Sequence, residues 1–277
     1  MDVFAAFIAP ALAGVFVGVM SGLLGVGGGT IMVPIFRLAF GMSPLASTAT
    51  SLFAIIPTSI SGVVAHTRAK TCVPKLGLAL GVGGAVMSPM GVWLASVSPG
   101  WLVICVAAIV IGFSALKMFK KAVKCAPTPR AGRAGGSSQD ASAKAVPDQP
   151  VLSRKQYLQG ACIGLIAGLA SGYVGVGGGF IMVPLMLAVL DIPMSLASGT
   201  SLIAIMILAI PGVIEQGLLG NIEYLAGIAI VVGSIPGALV GARLVRVVPE
   251  RQLRFIFGGF LLVAAVMLML NEFGILG

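Results

Sequence analysis

Charge is what this sequence has least of. Of its 277 residues, 17 are Lys or Arg and 8 are Asp or Glu, so charged side chains make up only 9%. A water-soluble domain carries about 25%, because its surface needs them. With 58% hydrophobic residues and a mean hydropathy of +1.11, this chain could not cover a surface in water. A bilayer is the solvent that removes the need. Histidine is nearly missing as well: His66 is the single one, and its place beside a basic loop reads as interfacial. The apolar stretches hold no His/Asp/Glu cluster, which speaks against an intramembrane enzyme or metal centre and leaves no cofactor to expect. The four cysteines, Cys72, Cys105, Cys125 and Cys162, are not at metal-ligand spacing and read as inert packing thiols. No basic n-region precedes the first apolar stretch, which is therefore expected to be a retained segment. The net charge of +9 does not signal nucleic acid, because the basic residues form short clusters between apolar stretches rather than one soluble face.

What the chain does have is one unit written twice. Residues 21–34, SGLLGVGGGTIMVP, return as 171–184, SGYVGVGGGFIMVP, and the register i to i + 150 holds without a gap over a long span. Gly14 and Gly18 align with Gly164 and Gly168, Thr50-Ser51-Leu52 with Thr200-Ser201-Leu202, and Pro99 with Pro249. Each half reads as five apolar segments, near 4–25, 30–41, 45–65, 75–96 and 100–120, then 156–175, 180–190, 195–215, 225–246 and 252–272. Most have the ~20 residues that span a hydrocarbon core at 1.5 Å per residue, but the second of each half is too short. The expected organisation is a membrane repeat over 1–120, a flexible basic linker over 121–154 and a second membrane repeat over 155–277.

The basic clusters set the orientation. Arg68, Lys70 and Lys75 form one, the linker and its flanks another, and Arg243, Arg246, Arg251 and Arg254 a third. Even numbers of crossings separate them, so all three belong on the cytoplasmic side. The basic 66–75 loop corresponds to 216–225, which has no Lys or Arg, so equivalent loops swap character. The fold class expected is an all-α integral membrane protein of two inverted repeats, each with a Gly-rich broken or re-entrant helix pair, with the linker cytoplasmic and both termini periplasmic.

The breaks carry the candidate site. Gly25-Val26-Gly27-Gly28-Gly29 and Gly175-Val176-Gly177-Gly178-Gly179 interrupt apolar stretches, and three glycines in a row disfavour a continuous helix. The freed backbone groups cannot face lipid and must be buried or line a wet cavity. New helices starting near Thr30 and Phe180 would present N–H groups and positive dipole ends, which suit an anion, and glycine admits a ligand to the backbone. The substrate-contacting residues are thus expected to be Gly27, Gly28, Gly29, Thr30, Gly177, Gly178 and Gly179, with Thr50, Ser51, Thr200 and Ser201 from the polar entry that follows each short helix. Those hydroxyls have a second role open to them, capping or back-bonding a helix. Arg37 is a candidate cation near the first break, where the second half has Leu187. Gly14, Gly18, Gly164 and Gly168 read instead as close helix packing.

With its doubled GVGGGxxxVP pattern, its ASTATSL and ASGTSL segments and its two apolar halves, the chain resembles the TauE/SafE family of sulfite-exporter-like permeases. The resemblance spans nearly everything but the linker. It implies an inner-membrane permease that exports sulfite, sulfoacetate or a related organosulfonate, with the lipid bilayer and a small anion as its partners. Its Gly-rich motif maps to Gly25, Gly27, Gly28, Gly29, Gly175, Gly177, Gly178 and Gly179, followed by Pro34 and Pro184. The alternatives are an anion channel of the same architecture and a membrane sensor or enzyme. A sensor would need a soluble output domain, and the linker is too small and polar to fold into one.

Overall fold

The structure, a computed structural model, describes residues 9–124, 153–174 and 177–272. These residues form ten α-helices and no strand: α1 (Ala9–Leu24), α2 (Gly29–Leu38), α3 (Pro44–Arg68), α4 (Pro74–Val97), α5 (Gly100–Lys124), α6 (Arg154–Val174), α7 (Gly179–Leu185), α8 (Met194–Leu218), α9 (Tyr224–Leu244) and α10 (Glu250–Glu272). A π-helical turn, Met186–Leu190, extends α7. Over the described residues the protein is all-helical, as an integral membrane protein of this composition requires. Four of these helices contain stretches long and apolar enough to cross a bilayer, Leu45–Arg68, Pro74–Leu94, Met194–Leu218 and Tyr224–Leu244. The side chains that face outwards on them, such as Leu78, Val82, Val86, Ile214, Leu218 and Val232, are large and apolar, as a lipid-facing surface requires. Helix α5 runs on through Lys124, so the first residues assigned to the linker are helical, whereas 125–152, both chain ends and Gly175-Val176 lie outside the described residues.

Bilayer helices gain no hydrophobic drive from meeting each other, so they associate where small residues let backbones touch. Here the contact is made across the halves. Helix α1 lies along α9, where a Cβ on Gly14, Gly18 or Gly22 would collide with the carbonyl oxygens of Ile230, Ser234 and Ala238. Helix α6 repeats this on α4, with Gly164, Gly168 and Gly172 against the carbonyls of Leu80, Gly84 and Ser88. The glycines of α9 answer in kind: Gly233, Gly237 and Gly241 face the carbonyls of Ala11, Val15 and Val19. In both pairs the partners rise together, so the two helices are parallel. Each contact thus occurs twice, exchanged between the halves.

Helices α3 and α8 meet in the middle. Gly212 faces Leu52, Gly62 faces Leu202, and Gly199 faces His66, so these two sequence-equivalent helices run antiparallel. Each starts by different means. Ser43 caps α3 with its Oγ accepting from the Ala46 N–H at 3.2 Å, and Pro44 follows with its φ already set for a helix. Helix α8 has no side-chain cap of its own; the Met194 N–H donates to Glu250 Oε1 of α10 at 3.2 Å, and Glu250 is held in turn by Arg254 at 2.5 Å.

Glycine-to-alanine substitutions separate packing glycines from free ones. Gly18→Ala and Gly168→Ala should lower the thermal unfolding midpoint in detergent sharply, because the added carbon meets backbone that cannot retreat. Gly112→Ala and Gly259→Ala, which meet nothing within 4 Å, should leave the midpoint unchanged or raise it, since Ala favours a helix over Gly by up to ~1 kcal/mol.

Candidate functional site

The two Gly-rich breaks are brought back to back at the centre of the molecule. In the first, Gly25, Gly27 and Gly28 all take positive φ, at 70°, 79° and 80°. A side chain at these angles is strained, and Gly25 would in addition collide with Ser198 and with Ser201 Oγ. In the second break Gly177 has φ 77°, but Gly178 is right-handed at φ −61° where Gly28 is left-handed. The breaks therefore share a sequence and differ in conformation. Helices restart at Gly29 and Gly179, one residue before the expected Thr30 and Phe180. A Cβ on Gly179 would lie 2.8 Å from both the Gly25 carbonyl oxygen and the Val26 Cα, so one break rests on the other.

Between the breaks stand two fully buried isoleucines, Ile55 of α3 and Ile205 of α8, related by the repeat. Both approach Gly27 and Gly177: a Cβ on Gly27 would lie 2.8 Å from Ile205 and 3.6 Å from Ile55, and one on Gly177 3.3 Å from Ile55. On α3 the same stripe carries Ser51, Ile55, Ser59, Gly62 and His66, at helical spacing. The equivalent stripe on α8 reads Ser201, Ile205, Ala209, Gly212 and Gln216, which has fewer polar groups.

The hydroxyls divide by what they bond. Thr50 Oγ1 accepts from the Glu223 N–H at 3.0 Å, just ahead of α9, and Thr200 Oγ1 accepts from the Val73 N–H at 3.0 Å, just ahead of α4. Thr200 also donates to the Leu196 carbonyl at 2.6 Å. These two threonines satisfy backbone donors at the start of a helix in the other half, a capping role across the repeats rather than within one. Ser201 Oγ lies 2.6 Å from the Gly25 carbonyl and 2.8 Å from that of Ser198, so it ties α8 to the first break. By contrast Ser51, Ser59, Ser21 and Thr30 are buried with hydroxyls that have no hydrogen-bond partner among the described residues. Ser21 flanks Gly28, 3.7 Å from its would-be Cβ, and Thr30 opens the helix after it. Where Thr30 and Ser59 stand, the second half has Phe180 and Ala209. Arg37 is half-buried in the last turn of α2.

The structure buries His66 completely inside protein, in the last turn of α3. Its Nε2–H donates to the Gly22 carbonyl at 2.8 Å, in the last turn of α1 before the break, and its Nδ1 pairs with Thr71 Oγ1 at 2.7 Å. The carbonyl can only accept, which fixes the proton on Nε2. The sequence reading missed this because Gly22 is 44 residues away. Cys72 is buried in the α3–α4 loop, and burial pushes its thiol pKa up, away from the reactive thiolate.

Comparison with known proteins supports the motif reading. The profile of the sulfite exporter TauE/SafE family matches residues 10–268. The chain belongs to this family. Among curated proteins it is 28% identical over 238 residues to the probable membrane transporter protein YdhB of Bacillus subtilis, covering 86% of this chain and 89% of that protein. It is 26% identical over 248 residues to the probable membrane transporter protein YunE of the same organism, covering 87% and 89%. The probable membrane transporter protein MJ0441 of Methanocaldococcus jannaschii is 23% identical over 276 residues, covering 94% of each. No solved structure matches the chain.

The bonded and unbonded hydroxyls make opposite predictions for stability. Thr200→Val should leave the Val73 N–H buried without an acceptor and cost ~1–3 kcal/mol, seen as a lower unfolding midpoint. Ser51→Ala and Ser59→Ala remove groups that bond nothing and should leave the midpoint level or raise it.

Proposed function

We propose that this family member is a carrier that exports a small anion, sulfite, sulfoacetate or a related organosulfonate, across the inner membrane, with its site at the paired Gly-rich breaks. The observation that carries the reading is the convergence of Gly27 and Gly177 on Ile55 and Ile205, with Ser21 against the neighbouring Gly28, Thr30 just after it and Ser51 one turn before Ile55, their hydroxyls unbonded among the described residues. A buried hydroxyl without a partner is costly in a membrane and suits a group whose partner arrives as substrate. An anion takes its donors from hydroxyls and backbone N–H groups and needs no fixed cation, so it binds loosely enough to be released. Of the residues expected at the site, Gly27, Gly28, Gly29, Thr30, Ser51, Gly177, Gly178 and Gly179 stay in this proposal as contacts. Thr50, Thr200 and Ser201 shape the site through the backbone groups they hold.

The antiparallel α3 and α8, equivalent in sequence, favour inverted repeats over 1–120 and 155–277. That arrangement accounts for the basic clusters when the linker, 121–154, is a cytoplasmic spacer and both termini are periplasmic. Ile55 and Ile205, packed between the breaks, close the path between its two ends in this conformation. A path closed at its middle and opened by relative movement of two helical bodies is a carrier's.

Uptake of labelled sulfite into proteoliposomes, with excess sulfoacetate as competitor, tests this directly. Wild-type uptake should saturate and fall with the competitor. Ser51→Ala and Thr30→Val should raise the half-saturation concentration about tenfold or more, the worth of one hydroxyl bond to a charged ligand, at an unchanged unfolding midpoint. Wild-type kinetics in both variants would remove the site from the breaks, and unitary currents in a voltage-clamped bilayer would replace the carrier by a channel.

A further inference from the structure

At the end of α3 and α9 lies a pocket of about 190 Å³ lined by Val64, Ala65, Arg68, Ala69, Leu239, Arg243 and Arg246. Arg68 comes from the last turn of α3, Arg243 from the last turn of α9 and Arg246 from the turn after it. All three are exposed, and among the described residues no carboxylate lines the pocket. The carboxylate nearest in sequence, Glu250, is taken by Arg254 and the Met194 N–H. Among the described residues none of the three arginines has an ion-pair partner. A basic residue in a last helical turn is favoured by the helix dipole and by cytoplasmic placement, and a single one would need no other account. Three guanidiniums from two helices around one concavity repel one another, and a planar fork is the group that grips an oxyanion in two places.

Two further observations place this pocket in relation to the breaks. The first is contact. Ala65 and Ala69 line it, and His66 between them bonds the Gly22 carbonyl, in the last turn of α1 before the first break. Gly22 in turn packs on Ala238 and Ala242, the residues that immediately precede Leu239 and Arg243. The second is one-sidedness. Under the repeat, Arg68, Arg243 and Arg246 correspond to Leu218, Trp93 and Ser96, none of which carries charge. The frame is duplicated, but the cationic mouth occurs once.

We infer that Arg68, Arg243 and Arg246 form a distinct oxyanion-binding site at one mouth of the molecule, where a sulfite-, sulfonate- or phosphate-like group docks before reaching the breaks. As a capture site for cargo it rests on the transport reading; as a binding site it does not. On the cytoplasmic face such a site raises the local anion concentration on the side from which export loads, and its one-sidedness gives the duplicated frame a direction. The oxyanion has two sources, a free anion or the phosphate of an anionic lipid headgroup.

The test uses the triple variant R68K/R243K/R246K, which keeps every positive charge and hence the orientation signal but loses the forks. Binding of labelled sulfite is measured on the full chain in phosphatidylcholine nanodiscs, and retention of phosphatidylglycerol is measured by mass spectrometry of protein purified with that lipid. If the site takes free oxyanions, the variant binds sulfite about tenfold more weakly than wild type, and added salt weakens wild-type binding. If it takes a headgroup, wild type retains phosphatidylglycerol and the variant does not. Equal behaviour of wild type and variant in both arms overturns the site. The uptake assay keeps the two readings apart. No saturable sulfite uptake by wild type, with the nanodisc arms still separated, sinks sulfite transport and leaves the pocket. Saturable uptake with the same half-saturation in both proteins, together with nanodisc arms that agree, sinks the pocket and leaves transport.

Discussion

The fold depends on glycine backbones pressed against carbonyl oxygens across the two halves. In lipid, helices cannot be driven together by hiding apolar surface, because the solvent is as apolar as they are. Close van der Waals contact remains, and it needs a face without side chains. Gly14, Gly18 and Gly22 supply that face to α9, and Gly164, Gly168 and Gly172 supply it to α4. Each glycine row ends within a few residues of a break, so the same contact that joins the halves carries the broken backbone into protein and away from lipid. Without it, the loops at Gly25–Gly28 would leave backbone donors and acceptors in hydrocarbon, which is costly enough to forbid the structure.

On this symmetric frame the polar groups are distributed unevenly. Thr58 and Ser234 join hydroxyls at 2.5 Å, and Ser61 donates to the Ile235 carbonyl at 2.8 Å, so α3 and α9 are tied by hydrogen bonds. At the equivalent contact of α8 with α4, Leu208 packs against Gly84 and no hydroxyl is present. Thr30, Ser59 and His66 likewise answer to Phe180, Ala209 and Gln216. The glycine packing and the cross-repeat threonine caps occur in both halves, whereas the hydroxyls near the path differ between them. A packing contact constrains both halves equally, whereas a polar group along a path is needed only where a ligand passes.

Much of this was legible in the sequence, for reasons that are local. The helix bounds follow from apolar run length and from the glycine breaks, and α2 and α7 begin one residue from the expected positions. The packing role of Gly14, Gly18, Gly164 and Gly168 follows from their spacing of four. What stayed hidden joins residues far apart in the chain. Thr50 reaches Glu223 and Thr200 reaches Val73, separations of 173 and 127 residues, and a Thr at the polar start of a helix looks the same whether it caps its own helix or another. His66 beside Arg68 and Lys70 has the local signature of a membrane interface, and only the arrival of the Gly22 carbonyl shows that protein covers its ring. The different conformations of Gly28 and Gly178 are beyond any sequence rule, since the two motifs are identical there; the neighbours differ, Val17 at one and Leu208 with the Ala167 carbonyl at the other.

For a carrier, the arrangement also says where the molecule divides. Motion between alternate states follows weak seams and leaves tight ones intact. The closest backbone contacts are α1 on α9 and α6 on α4, each joining helices from different repeats, so in the carrier proposed above the moving bodies would not be the two repeats of the sequence. One body is built on α1, α9 and the α3 tied to them by Thr58 and Ser61; the other is built on α6, α4 and α8. The seam between them is the antiparallel meeting of α3 and α8, lined by Gly62, Leu202, Gly212 and Leu52 and closed at its middle by Ile55 and Ile205. Apolar side chains on glycine slide without breaking hydrogen bonds, so rocking along this seam costs little beyond repacking. One bond does cross it, from Ser201 to the Gly25 carbonyl, joining α8 to the first break, whereas the bond from the Val73 N–H to Thr200 stays within the second body. In the carrier proposed above, the Ser201–Gly25 bond is the one that movement along this seam would break.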